Sequence, residues 1–326
     1  MREKTTKNSS KNLKKKIKCS VIIPVFNSSG TLELLIKRLG SVLHDFASKY
    51  EVIFVNDDSH DNSWQVIIQL SRQYSWVKGI NLMRNFGQHN ALLTGILAAQ
   101  YDVIVTMDDD LQHPPEEIHK LTNELITGSF DVVYGVPKMQ EHSLFRSITS
   151  HITKRFMSMA LELPNIAQSG AFRAFRIEVR KAFIDYRSQS VSIDALLAWG
   201  TSRFSYVIVD HKQRQVGKSN YTFRKLVRHT INMLTGFSTL PLRLASFLGF
   251  AFTGFGFLVL VYVIGRYFIE GSPVQGFPFL ASLIALFSGA QLFVTGIFGE
   301  YLAQIFFNIM GRPLGVERET VGFSSN

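Results

Sequence analysis

The sequence predicts an α/β domain on a mainly parallel sheet, followed by an interfacial helix and a two-helix membrane hairpin. Three observations point there. Short apolar runs alternate with amphipathic stretches from Cys19 to about Val209. Several of those runs stop abruptly at polar residues, and beyond Arg243 two long stretches carry no charge at all.

Residues 20–24, 52–55, 79–82, 103–107, 132–134, 172–175 and 206–209 are rich in Val, Ile and Phe and short enough to be strands. Between them, 31–50, 63–74, 90–100 and 115–126 repeat their apolar residues at helical spacing. Continuous apolar strands separated by helices imply a sheet covered on both faces. Ligands of such sheets bind beyond the carboxyl ends of the strands. Further on, 244–265 and 271–299 are each free of Asp, Glu, Lys and Arg, and each is long enough to cross ~30 Å of hydrocarbon. Lys and Arg crowd the near side, and Arg312 and Arg318 follow the second stretch. Both ends are therefore expected on the cytoplasmic side of an inner membrane. Just before the spans, Phe223, Leu226, Val227, Thr230, Ile231 and Leu234 share one helical face, with Arg224, Lys225, Arg228 and His229 largely opposite. That is the pattern of a helix lying among lipid headgroups.

Length and composition agree with this division. The chain has 326 residues, 46% hydrophobic content and a net charge of +10. Its first eighteen residues hold eight Lys or Arg against Glu3 alone, a basic arm suited to an anionic lipid surface. No nucleic-acid partner is expected. The arm lacks the apolar core of a secretory signal, and the single cysteine, Cys19, excludes an intrachain disulfide and a cysteine-based metal site. The expected parts are a basic tail (1–18), an α/β domain (19–220), an interfacial helix (221–240), two transmembrane helices (241–310) and a cytoplasmic tail (311–326). Gly249, Gly254 and Gly256 would allow close helix contact, so a homo-oligomer is expected.

The densest chemical signal is VIVTMDDDLQHPPEE, where a strand runs into Asp108, Asp109 and Asp110. Strand side chains alternate, so Asp108 and Asp110 can point the same way. Two such carboxylates, with the Gln112 amide beyond them, suit a hard divalent ion shared with phosphate. An acidic solvated loop would read the same. Pro114 and Pro115 then open a helix whose first turn carries Glu116 and Glu117. VIIPVFNSSG, VIFVNDDSHDNS and NLMRNFGQHNALLTGI also place polar residues directly after a strand, which brings these loops to one crevice. Neither G-x-G-x-x-G nor a P-loop is present.

In order along 20–313, the motifs PVFN, VNDDSHDNS, RNFGQHNALLTG, MDDDLQHPPEE, RQVGKSNYTFRKL and GEYLAQI resemble polyprenyl-phosphate glycosyltransferases of glycosyltransferase family 2. The resemblance implies a GT-A domain (Rossmann-like, mainly parallel) that transfers a sugar, with a UDP-hexose or modified UDP-hexose favoured, to undecaprenyl phosphate, with inversion. It implies Mg²⁺ or Mn²⁺ held by Asp108, Asp110 and Gln112. Pro24, Phe26, Asp57, Asp108 and Asp109 would surround the nucleotide. Lys138, Arg146, Arg214, Ser219 and Tyr221 would meet phosphate oxygens, with Asp110 and Arg214 central to catalysis.

Several positions depart from the family pattern. Ser28 stands where an acidic residue is usual, and D-D-G-S reads Asn56-Asp57-Asp58-Ser59. Gln168 occupies the place of an aspartate often taken as a base, and Pro137 that of an arginine, with Lys138 adjacent. Asp194 is then the candidate base, with a helix-start cap as its other reading. A phosphate monoester acceptor, with second pKa near ~6, is mostly dianionic at pH 7 and needs little help from a base. Two other functions stay open: a processive polysaccharide synthase, whose Q-x-x-R-W motif is missing, and a non-catalytic nucleotide-sugar-binding membrane subunit. Aspartyl phosphoryl transfer fails on its D-x-D-x-[TV] motif, since Gln112 follows Asp110 by two.

Overall fold

The computed structural model describes residues 16–138, 170–186, 191–211, 239–270, 277–311 and 313–323. An eight-stranded sheet organises the chain, in the order β7-β5-β6-β4-β1-β2-β3-β8. Its strands are β1 Ile17–Val25, β2 Ala47–Asn56, β3 Val77–Leu82, β4 Val103–Thr106, β5 Val132–Pro137, β6 Arg173–Arg176, β7 Phe204–Val209 and β8 Glu317–Val321. The helices are α1 Leu32–Phe46, α2 Ser63–Gln73, α3 Gln88–Ala98, α4 Ile118–Thr127, α5 Ile193–Gly200, α6 Leu240–Glu270 and α7 Phe277–Ile309.

Alternation along the central strands sorts the core into two layers. Val21, Ile23, Val52 and Phe54 face α1, α2 and α4, whereas Ile22, Ile53 and Val55 face α3 and α5. In α1, Leu32, Leu35, Ile36, Leu39 and Leu43 recur at helical spacing and are fully buried. Each is worth about 1.5–3 kcal/mol, an upper bound that ignores structure in the unfolded chain. Helix α3 packs tightly on the sheet at Gly95, which has no side chain at the contact. A Cβ there would stand 2.4 Å from Ile22 Cγ2 and 3.0 Å from Val55 Cγ2. Cys19 belongs to this interior, and burial, with the Glu51 carboxylate nearby, pushes its thiol up to about 12.

All seven expected strands form, and the structure adds corrections at their margins. The helix expected over 31–50 stops at Phe46, because Ala47 onward pairs with β1, starting at Ile17↔Ala47. The sheet is parallel through β3-β2-β1-β4 and β5-β7, but β6 inserts antiparallel between β4 and β5. The stretch 311–326, expected as a tail, instead places Glu317–Val321 as β8, antiparallel to β3. Its sequence is mostly charged and its strand mostly exposed, so apolar periodicity gave no sign of it.

The last two helices are long enough to cross a membrane. Pro241–Arg266 and Leu286–Ile309 have mean hydropathies of 2.3 and 1.4 and bury none of those windows within the protein. Large apolar side chains on them face outward, Phe250 being 75% and Leu292 73% exposed. The helices form an antiparallel hairpin. Gly256 packs on the Phe287 ring, Phe252 meets that ring edge-on at 5.8 Å, and Tyr301 meets the main chain of Leu242. A Cβ on Gly249 or Gly254 would meet nothing within 4 Å beyond its own helix. Nearly all of the interfacial helix expected over 221–240 lies outside the described residues.

Gly95→Val is expected to lower stability by about 1–3 kcal/mol through overpacking of α3 on the sheet. Gly249→Val, on an open helix face, should change it little. Denaturant unfolding of the full chain in detergent compares the two.

Candidate active site

Where parallel strands stop, their loops leave backbone amides without ladder partners. Here side-chain oxygens take them up, and the loops become interlocked. The loop after β1 and the loop after β2 are joined by Asn27 N to Ser59 Oγ (3.0 Å), His60 N to Asn27 Oδ1 (2.8 Å), Ser28 N to Ser63 Oγ (3.0 Å) and Ser29 N to Asp61 Oδ2 (3.0 Å). The loop after β2 is joined to that after β3 through Asp57. Its Oδ1 accepts Phe86 N at 2.7 Å and its Oδ2 accepts Gly87 N at 2.8 Å. Burial raises the Asp57 carboxyl, against the pull of those amides. The expected nucleotide contact is thus 3% exposed and shapes the crevice by clamping its far wall.

The acidic run closes the fourth side. Asp109 turns toward β1, where its Oδ2 accepts Phe26 N at 3.4 Å. Burial pushes its carboxyl up to about 6, opposed by hydrogen bonds from Ser28 and Phe26 and reinforced by Asp110. Ser28 is thereby explained: the acidic residue usual at this place would set a second negative charge against Asp109. Asp108 Oδ1 accepts from Gln88 Nε2 at 2.8 Å, and Asp110 Oδ1 from Gln112 N at 3.1 Å. The turn between them needs Leu111 at φ 61°.

Beneath the run lie residues the sequence did not single out. Arg173 is 1% exposed, donates from Nε to Thr106 Oγ1 at 3.0 Å and pairs through Nη1 with Asp194 Oδ1. Tyr134 donates its hydroxyl to the same Asp194 oxygen at 2.9 Å. Asp194 therefore does not cap α5; Ser192 does, accepting from Ala195 N at 3.4 Å. His113 stacks on Phe172 at 5.1 Å and lies 4.9 Å from the His211 ring. Burial and the neighbouring His211 lower it to about 4, so it stays neutral at physiological pH. Lys138 is exposed at the end of β5, its N donating to Val209 O at 3.3 Å. Pro24 sits near the end of β1 and Phe26 is half exposed beside His60. Arg146, Gln168, Arg214, Ser219 and Tyr221 lie outside the described residues.

The donor set fits a divalent ion of a particular kind. Asp108, Asp110 and Gln112 offer hard oxygens at one strand end. Among the described residues no group of three or more His, Cys, Asp or Glu could hold an ion by itself. Such a site suits Mg²⁺ or Mn²⁺ only when a ligand's phosphates complete the shell.

A GT-A sheet with interlocked strand-end loops and a D-x-D run defines a glycosyltransferase, and residues 20–186 match glycosyl transferase family 2. The chain belongs to that family. A relative from Photorhabdus laumondii subsp. laumondii, undecaprenyl-phosphate 4-deoxy-4-formamido-L-arabinose transferase, is 33% identical over 308 residues, 94% of each chain. Glucosyl-3-phosphoglycerate synthase from Mycobacterium tuberculosis, solved with Mn²⁺ and UDP-glucose, shares the fold. It has a TM-score of 0.52 at 16% identity, over 68% of this chain and 79% of its own. The same enzyme with Mn²⁺, UDP and glucosyl-3-phosphoglycerate has a TM-score of 0.51.

Asp194→Ala would leave the Arg173 guanidinium buried and unpaired, an expected loss of about 3–5 kcal/mol. The double variant Arg173→Met/Asp194→Leu should recover most of it. Denaturant unfolding of the three proteins measures both outcomes.

Proposed function

We propose that this chain transfers a sugar from a UDP-hexose or modified UDP-hexose to undecaprenyl phosphate at the cytoplasmic face of the inner membrane. The observation that carries this reading is a D-x-D run at the strand ends in the same chain as an apolar helical hairpin, with a 33% identical relative named as an undecaprenyl-phosphate transferase of a modified arabinose, a five-carbon sugar. The hairpin makes it a membrane protein. Both helix ends face the side of the sheet, because β8 follows α7 after only residues 310–316. A sheet in the cytoplasm thus places both ends there.

Asp108, Asp110 and Gln112 would hold Mg²⁺ or Mn²⁺, which when bound offsets charge on the donor diphosphate. Asp109 serves a different purpose: it anchors the Phe26 loop, so that Pro24 and Phe26 form one wall of the nucleotide pocket. Asp57 fixes the opposite wall and aims the start of α3, with Gln88, at Asp108. Arg214 and Arg146 are assigned to phosphate oxygens from their places in the motifs, as are Lys138, Ser219 and Tyr221. An acceptor phosphate oxygen attacks the anomeric carbon as its bond to the β-phosphate oxygen breaks, and the electron pair departs on the nucleoside diphosphate. This displacement inverts the anomeric centre. The attacking phosphate is already dianionic at neutral pH, so the crevice has to position it more than deprotonate it. Gln168 in the usual aspartate place is compatible with that. Asp194, committed to Arg173 and Tyr134, is assigned to positioning rather than to proton transfer.

Membranes containing the chain, given labelled nucleotide sugars and undecaprenyl phosphate, are expected to yield labelled lipid that EDTA suppresses. Label in a long polymer would mark a processive synthase instead, and none with any donor a binding subunit. Asp110→Ala should abolish transfer, while Gln168→Ala should retain a substantial part of it. The rate should also fall as pH drops below ~6, where the acceptor phosphate dianion takes up a proton and becomes a monoanion. Initial rates across a pH series check the last point.

A further inference from the structure

We propose that Arg318, on the strand that follows the membrane hairpin, is a positioning residue of the donor pocket. It ties the Asp58 turn to the loop leaving β3, and this assignment rests on the crevice being the donor site. Arg318 Nη2 donates to Met83 O at 2.8 Å and lies 3.9 Å from Asp58 Oδ1. Met83 N in turn donates to Val316 O at 2.8 Å. The returning chain therefore holds both main-chain polar groups of Met83. Four residues later the same loop delivers Gly87 N to Asp57, and Arg84 lies over the Phe86 ring at 4.2 Å. One guanidinium thus bridges two loops that Asp57 already joins from inside.

The local chemistry gives Arg318 something to correct. Asp58 adopts φ 58°, in the left-handed region, where the family pattern has glycine. Aspartate enters that region more readily than most residues with a Cβ, but less readily than glycine. The Asp58 carboxylate also adds negative charge next to that of Asp57. Arg318 offsets that charge and restrains the turn. The approach of its strand is fixed as well: a Cβ on Gly315 would stand 2.6 Å from Thr94 Oγ1 on α3. Residue 318 lies far beyond the family match, which ends at residue 186. The donor pocket is completed by chain that has first passed through the hairpin.

The full-length protein in nanodiscs provides the test, with hydrogen exchange over 57–59 and 83–87 and with separate KM values for donor and acceptor. Arg318→Ala is expected to speed exchange in both segments about three- to fivefold and to raise donor KM by a like factor, with acceptor KM unchanged. Arg318→Lys should recover part, since an ammonium can reach Met83 O but cannot fork to both partners. In an Asp58→Gly background the Arg318→Ala effect on donor KM should shrink. Glu319→Ala, which removes only the 3.0 Å bond from Trp64 Nε1, should leave donor KM as it is. Unchanged exchange in Arg318→Ala overturns the proposal. So does an equal rise in donor and acceptor KM, or an equal effect of Glu319→Ala. If the wild-type chain turns over no nucleotide sugar, the transferase reading fails, while the exchange comparison still decides whether Arg318 holds the two loops.

Discussion

Unpaired amides at the ends of parallel strands are the constraint around which this crevice is built. A parallel ladder must stop somewhere, and the amides beyond it need acceptors or water. In this chain Asp57, Asp61 and Asp109 accept them, helped by the hydroxyls of Ser59 and Ser63. The same carboxylates make the region acidic. Hydrogen bonds from Ser63 and Ser29 hold Asp61 below the usual range against its burial, whereas burial prevails at Asp57 and Asp109. Acidity here is thus partly architectural. Asp108 and Asp110 take a smaller part in this anchoring, accepting from the Gln88 side chain and from Gln112 N.

Much of this was legible in the sequence because it is local. Apolar runs ending in polar residues announced the strands and the polar loops at their ends. What escaped depends on distant partners. Nothing local to Asp57 shows that the amides of Phe86 and Gly87, some thirty residues on, bond both its oxygens. Asp194 looks like a helix cap until Arg173 reaches it across the sheet. That contact exists only because β6 runs antiparallel between β4 and β5, and no local propensity specifies such an insertion. β8 escaped for a different reason. Its residues read eeeei in burial, with Val321 alone joining the core margin, so neither alternation nor a run of apolar residues betrays it.

The two halves of the molecule obey different solvents, yet they share a sheet. The α/β domain hides its apolar residues in two layers, while α6 and α7 display theirs outward, as helices facing lipid do. Between them the connection is short and packed. Gly315 lies on Thr94, Val316 bonds Met83, and Lys78 sits 4.9 Å from the centre of the Phe323 ring. The hairpin is consequently more than a trailing anchor; its exit is bonded to the loops that leave β2 and β3. This arrangement suits a reaction in which one substrate is dissolved in water and the other in the bilayer.

That weave has a bearing on how the molecule is made. β8 is the outer neighbour of β3, and it is synthesised only after both apolar helices. Until then β3 presents a bare flank of peptide groups, the sort of edge that invites pairing with other chains. Closure of the sheet by β8 is therefore a late step, and a chain that lacked β8 would keep an adhesive edge.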